Sequence, residues 1–289
     1  MLRGDPRQDD SAGAPEVGLA SLARMLNATF AAPGYQPPML PSVAIELLHV
    51  TRQPDVTFPL VSALLHKEPL LASQVLRVAQ SPAYRRAQPV RSLEQAARAL
   101  GLTFLADVFL QASLAARVFR CAAYEHPMNQ LRVHAVATAH ISRWVSGETP
   151  HSDDLAFLCG LLHDVGAAAC LIVLADAFGN RSTVPLSVVW PLVWEAHQAA
   201  SYRLAELWHL PEDVQVVIGS HHPVAADRWT HPLAAVVCVA DAIATDMGHG
   251  VPFEIDRGEV TRAQQQLGLS DVQLARIRSV AAKLLPTLV

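Results

Sequence analysis

Five histidines and two aspartates stand where an apolar helix would not ordinarily place them. His163 and Asp164 end the run Ala156-Phe-Leu-Cys-Gly-Leu-Leu162, and His221 and His222 follow Val214-Gln-Val-Val-Ile218. Asp241 lies inside Ala234-Ala-Val-Val-Cys-Val-Ala-Asp-Ala-Ile243, His134 follows Leu131-Arg-Val133, and His197 follows Val193-Trp-Glu-Ala196. A carboxylate taken out of water must be paired, protonated or bound to metal. Neutral imidazole nitrogens and carboxylate oxygens suit Fe, Mn or Zn, and a carboxylate has two oxygens with which to bridge two ions. One buried histidine alone is more often a hydrogen-bonded core residue. An ordered set on separate helices points instead to a metal site. The chain has 13 histidines, 11 of them between His126 and His249; His49, His66, His126, His140, His151, His209, His231 and His249 read as surface or core residues.

Amphipathic helices must present these side chains, and the sequence punctuates them clearly. Apolar spacing predicts helices over Val17–Phe30 and Pro41–Arg52, one from Asp55 or Thr57 through Lys67, and one over Pro69–Gln80 opened by its proline. Ser92-Leu-Glu-Gln95 reads as a capping box for a helix ending at Leu100-Gly101, and Thr103–Arg120 follows. In the second half, helices are expected over Asn129–Val145, from a Ser152 cap through Asp164, and, after a kink at Gly166, over Ala167–Phe178. Leu186–Leu210, Glu212–His222, Leu233–Met247, Glu259–Leu267 and Ser270–Leu285 complete the set. No stretch alternates with β-branched residues between hairpin turns, so the expected fold class is all-α. The division is a disordered tail at 1–16, a first helical unit at 17–121 and a second bundle at 122–289.

Composition narrows the function classes. Half of the 289 residues are apolar, enough for a large core. Mean hydropathy is positive at +0.24, yet the longest apolar runs, Val165–Ala175 and Leu233–Ala240, are shorter than the roughly 18–20 residues of a spanning helix. Met1–Glu16 is polar and charged, unlike a signal peptide. Cys121, Cys159, Cys170 and Cys238 lie far apart in apolar segments, as reduced thiols of a cytoplasmic protein do. The net charge of −4 and the lack of a basic run argue against a duplex-nucleic-acid binder. The expectation is a soluble, cytoplasmic protein without a membrane segment.

The order His134, His163-Asp164, His197, His221-His222, Asp241 resembles the HD superfamily of metal-dependent phosphohydrolases, including its HD-GYP branch, and Phe157–Gly166 is similar to the family's signature helix. The resemblance to the HDOD family, the HD-related output domain of bacterial signalling proteins, is closer. It rests on Leu40-Pro41, Lys67-Glu-Pro-Leu-Leu-Ala72, Leu76–Tyr84 (with Gln80 where Asn is usual), Ser92–Gly101 and Trp208-His-Leu-Pro211, and extends over about Leu40–Met247. It implies a helical first subdomain followed by an HD-like bundle.

The resemblance also implies a ligand set. His134, His163, Asp164 and Asp241 would surround one transition-metal ion, and Asp164 would bridge to a second held by His197, His221 and His222. If the site is catalytic, Asp164 is the bridging residue and an activated water attacks phosphorus. Active HD enzymes commonly place a lysine where this chain has Ala167, and three-metal relatives place an acid where it has Gln130. No GYP motif follows His163-Asp164. The first reading is therefore a regulatory output protein that acts through a separate signalling partner and binds a nucleotide or other phosphate ligand at most. The second is a phosphodiesterase acting on a cyclic dinucleotide such as cyclic di-GMP, or on another phosphate ester. Arg203 is the cation that could stand in for the lysine.

Overall fold

The computed structural model describes residues 19–81, 90–150, 152–179, 184–223 and 229–289, and every regular element among them is a helix. The expected tail, Met1–Glu16, lies outside the described residues. The long helices are α1 (Leu19–Ala31), α2 (Ser42–Val50), α3 (Phe58–Leu65), α4 (Pro69–Ala79), α5 (Leu93–Leu100), α6 (Leu102–Arg117) and α7 (Glu125–Gly147). They are followed by α8 (Ala156–Leu162), α9 (Val165–Ala177), α10 (Leu186–Leu207), α11 (Glu212–Gly219), α12 (Pro232–Ala244), α13 (Arg257–Leu267) and α14 (Asp271–Leu284).

Local chemistry sets most boundaries. Pro69 occupies the first turn of α4, where a missing N–H costs nothing. The Ser92 hydroxyl accepts the Gln95 N–H at 3.2 Å, but the Gln95 side chain turns to the Arg91 N–H rather than closing a box on Ser92. Ser270 and Gln273 make the complete reciprocal cap of α14. Two expectations are corrected. Ser152 does not cap α8: the Asp153 carboxylate accepts the Leu155 N–H at 2.7 Å, and the helix begins at Ala156. The break between α8 and α9 falls at His163-Asp164 rather than at Gly166, which lies inside the first turn of α9.

The helices α2, α4 and α5 pack around α6, whose Leu105, Phe109, Leu110 and Leu114 are buried. Among the later helices α12 is the central rod, with every residue from Leu233 to Ala244 buried against α7, α8, α11 and α13. The helix α1 packs on α9 and α10, so the first helix in the chain covers the later bundle. Taken together, α8 and α9 (Ala156–Ala177) are long and apolar enough to cross a membrane, longer than the separate apolar runs of the sequence imply. The segment is 89% buried within the bundle, where α7, α10, α11 and α12 cover its apolar surface.

Close approach around that segment depends on two glycines. A Cβ on Gly160 would meet the Ser142 hydroxyl and the Thr138 carbonyl oxygen of α7, and one on Gly166 would overlap the His197 carbonyl and the Ser201 N–H of α10. A buried ion cluster ties α6 to α7. Asp107 of α6 has no exposed side-chain surface; it binds the Arg143 guanidinium of α7 and lies 3.7 Å from Arg52. Burial pushes the Asp107 carboxyl up to about 6 against the lowering effect of both arginines. Arg143 also lies over the Phe157 ring of α8 at 4.5 Å. A second tie runs from the buried Trp208 indole N–H to the Pro38 carbonyl at 3.2 Å, which joins the chain just before α2 to the end of α10.

Gly166→Ala is expected to lose about 1–3 kcal/mol of stability from overpacking against α10. Arg143→Ala, which strands Asp107, should fall toward the lower end of ~3–5 kcal/mol because Arg52 remains. Urea denaturation of both variants against the wild type checks the two values.

Candidate metal centre

Five places in the chain converge on one point. His134 projects from the middle of α7, and His163 and Asp164 occupy the break between α8 and α9. His197 comes from α10, His221 and His222 follow the end of α11, and Asp241 comes from α12. All seven residues expected from the sequence are brought together, and six are buried; His222 is the more accessible member.

Backbone carbonyls fix how four of the rings present themselves. Nδ1 of His163, His197 and His221 approaches the carbonyl three residues earlier, at Gly160 (2.8 Å), Trp194 (2.6 Å) and Ile218 (2.9 Å). Nδ1 of His134 approaches the His249 carbonyl at 2.9 Å. A carbonyl oxygen only accepts, so each Nδ1 carries a hydrogen, and a ring in its neutral form presents a bare Nε2 lone pair inward. These lone pairs meet: the Nε2 atoms of His134 and His163 are 3.2 Å apart, and those of His197 and His221 are 3.3 Å apart. Two acceptors at that distance repel unless a proton or a cation lies between them.

Asp164 stands between the two pairs. Its Oδ2 is 3.7 Å from His134 Nε2 and 3.5 Å from His163 Nε2, while its Oδ1 is 3.5 Å from His197 Nε2 and 3.4 Å from His221 Nε2. Oδ1 is buried without a hydrogen-bond partner. Asp241 adds Oδ1 at 3.3 Å from His134 Nε2, and its Oδ2 is 4.0 Å from His222 Nε2. Donors each about 2.1 Å from one metal ion are separated by roughly 3–3.4 Å. Bare nitrogens at that spacing and an orphaned carboxylate oxygen therefore fit a transition metal. The donors fall into two groups, His134 with His163 and Asp164, and His197 with His221 and His222.

Burial lowers the pKa values of His163, His197 and His221, which keeps these rings neutral and able to bind metal. His222 is raised instead, because Glu259, Asp241 and Asp164 outweigh its burial.

Supporting residues absent from the sequence reading complete the shell. Ser201 donates to the His163 carbonyl at 2.7 Å and accepts the Gly166 N–H at 2.9 Å, clamping the α8–α9 break onto α10. Trp194 and Phe253 both stack on the His197 ring, at centroid distances of 5.1 and 5.4 Å. The only sequence signal for Ser201 was its position one helical turn after His197, on the same face. Arg203 is not brought to the site. It lies six residues after His197, on another face of α10, pairs with Glu206 at 3.3 Å and lines a crevice against α1. Ala167 is completely buried, and Gln130 is half-buried one turn before His134.

The shifts fix a pH dependence. The three lowered histidines start from an ordinary value of 6.5. Below it the unfolded chain takes up protons that the native rings refuse, so stability falls as pH falls. His222 acts in the opposite sense, its contribution being lost as pH rises through its raised value, but it is one group against three. The melting temperature of the metal-free protein should therefore drop between pH 7.5 and 5.5, and bound metal should be released over the same interval as protons compete for Nε2. Thermal melts in chelator and metal analysis across that range measure both.

Comparison with known proteins agrees with this architecture. A Geobacter sulfurreducens HDOD domain protein of unknown function superposes with a TM-score of 0.71 at 20% identity, covering 94% of this chain and 98% of that one. A candidate metal-dependent phosphohydrolase from Shewanella amazonensis superposes with a TM-score of 0.67 at 18% identity, covering 92% and 99%. An uncharacterised protein of Treponema pallidum is 25% identical over 228 residues, which is 75% of this chain but only 44% of that protein. The HDOD domain model matches residues 38–224, more than half of the chain. By that match the chain belongs to the HDOD domain family.

Proposed function

We propose that this chain is a bacterial signalling output protein whose HD-type centre holds two transition-metal ions and which acts in the cytoplasm through a separate protein partner. The observation that carries the metal part is the pair of Nε2–Nε2 approaches flanking the Asp164 carboxylate. His134, His163, Asp164 and Asp241 would hold one ion; His197, His221 and His222 would hold the other, with Asp164 shared. Five imidazoles and two carboxylates favour Fe or Mn, with Zn also compatible.

The regulatory part rests on what surrounds the ligands. Ala167 supplies no cation, and its side chain is enclosed by the core. Arg203 is engaged with Glu206 on another face of its helix. A preorganised charge at a transferring phosphoryl group is typically worth about 10²–10³ in rate. The second reading, a phosphodiesterase, is favoured by the completeness of the ligand set and by the likeness to the Shewanella protein. Bound ions would supply Lewis acidity and a water of lowered pKa.

Elemental analysis of protein expressed with ample iron and manganese should find about two ions per chain, in line with the two donor groups. Asp164→Ala is expected to empty both positions and His197→Ala mainly one; a wild-type protein without stoichiometric metal overturns the metal reading. Hydrolysis of cyclic di-GMP and of bis-aryl phosphates should be slow or undetectable. Fast wild-type turnover that vanishes in Asp164→Ala replaces the output reading with the phosphodiesterase.

A further inference from the structure

His222 differs from the other four histidines. Their Nδ1 atoms face main-chain carbonyls, whereas His222 Nδ1 faces the Glu259 carboxylate of α13, with Oε2 at 3.7 Å. Its other nitrogen, Nε2, points toward Asp241. The main chain of His222 is held separately, its N–H donating to the Gln198 side chain at 3.0 Å. Glu259 therefore stands behind the ring, on the side away from the shared carboxylates.

The local sequence assigns Glu259 a different task. Asp256 caps α13, accepting the N–H groups of Gly258 at 2.7 Å and Glu259 at 3.4 Å. A glutamate three residues after such a cap ordinarily turns back to the cap's own N–H. The equivalent Gln273 of α14 does so, bonding the Ser270 N–H at 3.0 Å. Glu259 makes no such closure, and its side chain runs to His222 instead. The next residue, Val260, is buried, and α13 packs on α12, the helix that carries Asp241. Glu259 and its helix also lie beyond residue 224, where the family match ends.

We propose that Glu259 is a positioning residue of the metal centre: its carboxylate pairs electrostatically with His222 from the Nδ1 side and turns Nε2 toward the centre that His222 shares with His197 and His221. A carboxylate behind a ligating imidazole fixes its tautomer and orientation and raises its basicity, and removing such a partner typically lowers metal affinity about 10–100-fold. The inference rests on the two-ion reading above and adds α13 to the site.

The test is Mn²⁺ titration of the metal-free full chain, followed by calorimetry and by the spin-resonance signal of coupled ions. The wild type should take up two ions. Glu259→Ala should weaken one of them by about 10–100-fold, leave the other unchanged and remove the coupled signal at sub-saturating metal. Glu259→Gln, which keeps an acceptor without the charge, should fall between. Asp256→Ala, which removes only the helix cap, should lower the melting temperature and leave both affinities intact. Wild-type binding in Glu259→Ala, or an equal loss in Asp256→Ala, overturns the proposal. A wild type that binds no Mn²⁺ overturns the two-ion reading itself, and this inference with it.

Discussion

Asp164 is a carboxylate almost without water contact, with histidine Nε2 atoms beside both of its oxygens. That arrangement constrains the bundle. An ionised carboxylate and four converging lone pairs are costly to assemble in a dry interior, and the surrounding helices must hold them against mutual repulsion. The chain does so with main-chain groups. Three rings are pinned to carbonyls three residues earlier in the chain, and the fourth to His249, where the chain turns after α12 with Gly248 in the left-handed region at φ 85°. A carbonyl held in a helix or turn can move little, so the rings are aimed before any ligand arrives.

The helices around the centre are spaced accordingly. Gly160 and Gly166 lie on either side of His163-Asp164, and each lets a neighbouring backbone come closer than a methyl group would allow. The break between α8 and α9 places two successive side chains toward the centre, which a continuous helix, at about 100° per residue, would splay apart. Ser201 seals that break by bonding one group on each side of it.

Much of this was legible in the sequence because polar residues embedded in apolar helices have few explanations. His134, His197 and Asp241 stand out against their apolar surroundings, and the structure brings the two histidines to Asp164 and Asp241 to His134. Element identities were readable for the same reason: period, proline and cap agree along most of the chain. What the sequence concealed was long-range or diverted. Ser152 has the composition of a cap, but Asp153 takes the free N–H instead. Gly166 looks like a hinge, yet its role is to admit α10. Arg203 has the right charge near the right motif, but helix rotation carries it away to α1. Glu259 reads as an acidic residue favourable at a helix start, and nothing local announces His222 as its partner. The side chains that stack on His197 come from Trp194 and Phe253, which are apolar residues among many.

The cluster of Asp107 with Arg143 and Arg52 has a mechanical consequence. A hinge works when two bodies can rotate through a continuum of intermediate poses at nearly constant energy. Here the seam between α6 and α7 contains a fully desolvated carboxylate, and opening it partway exposes that group to neither its arginines nor bulk water. Displacing α6 from α7 is therefore opposed from its first step, as by a clamp rather than a hinge, because it strands the Asp107 carboxylate before water can reach it.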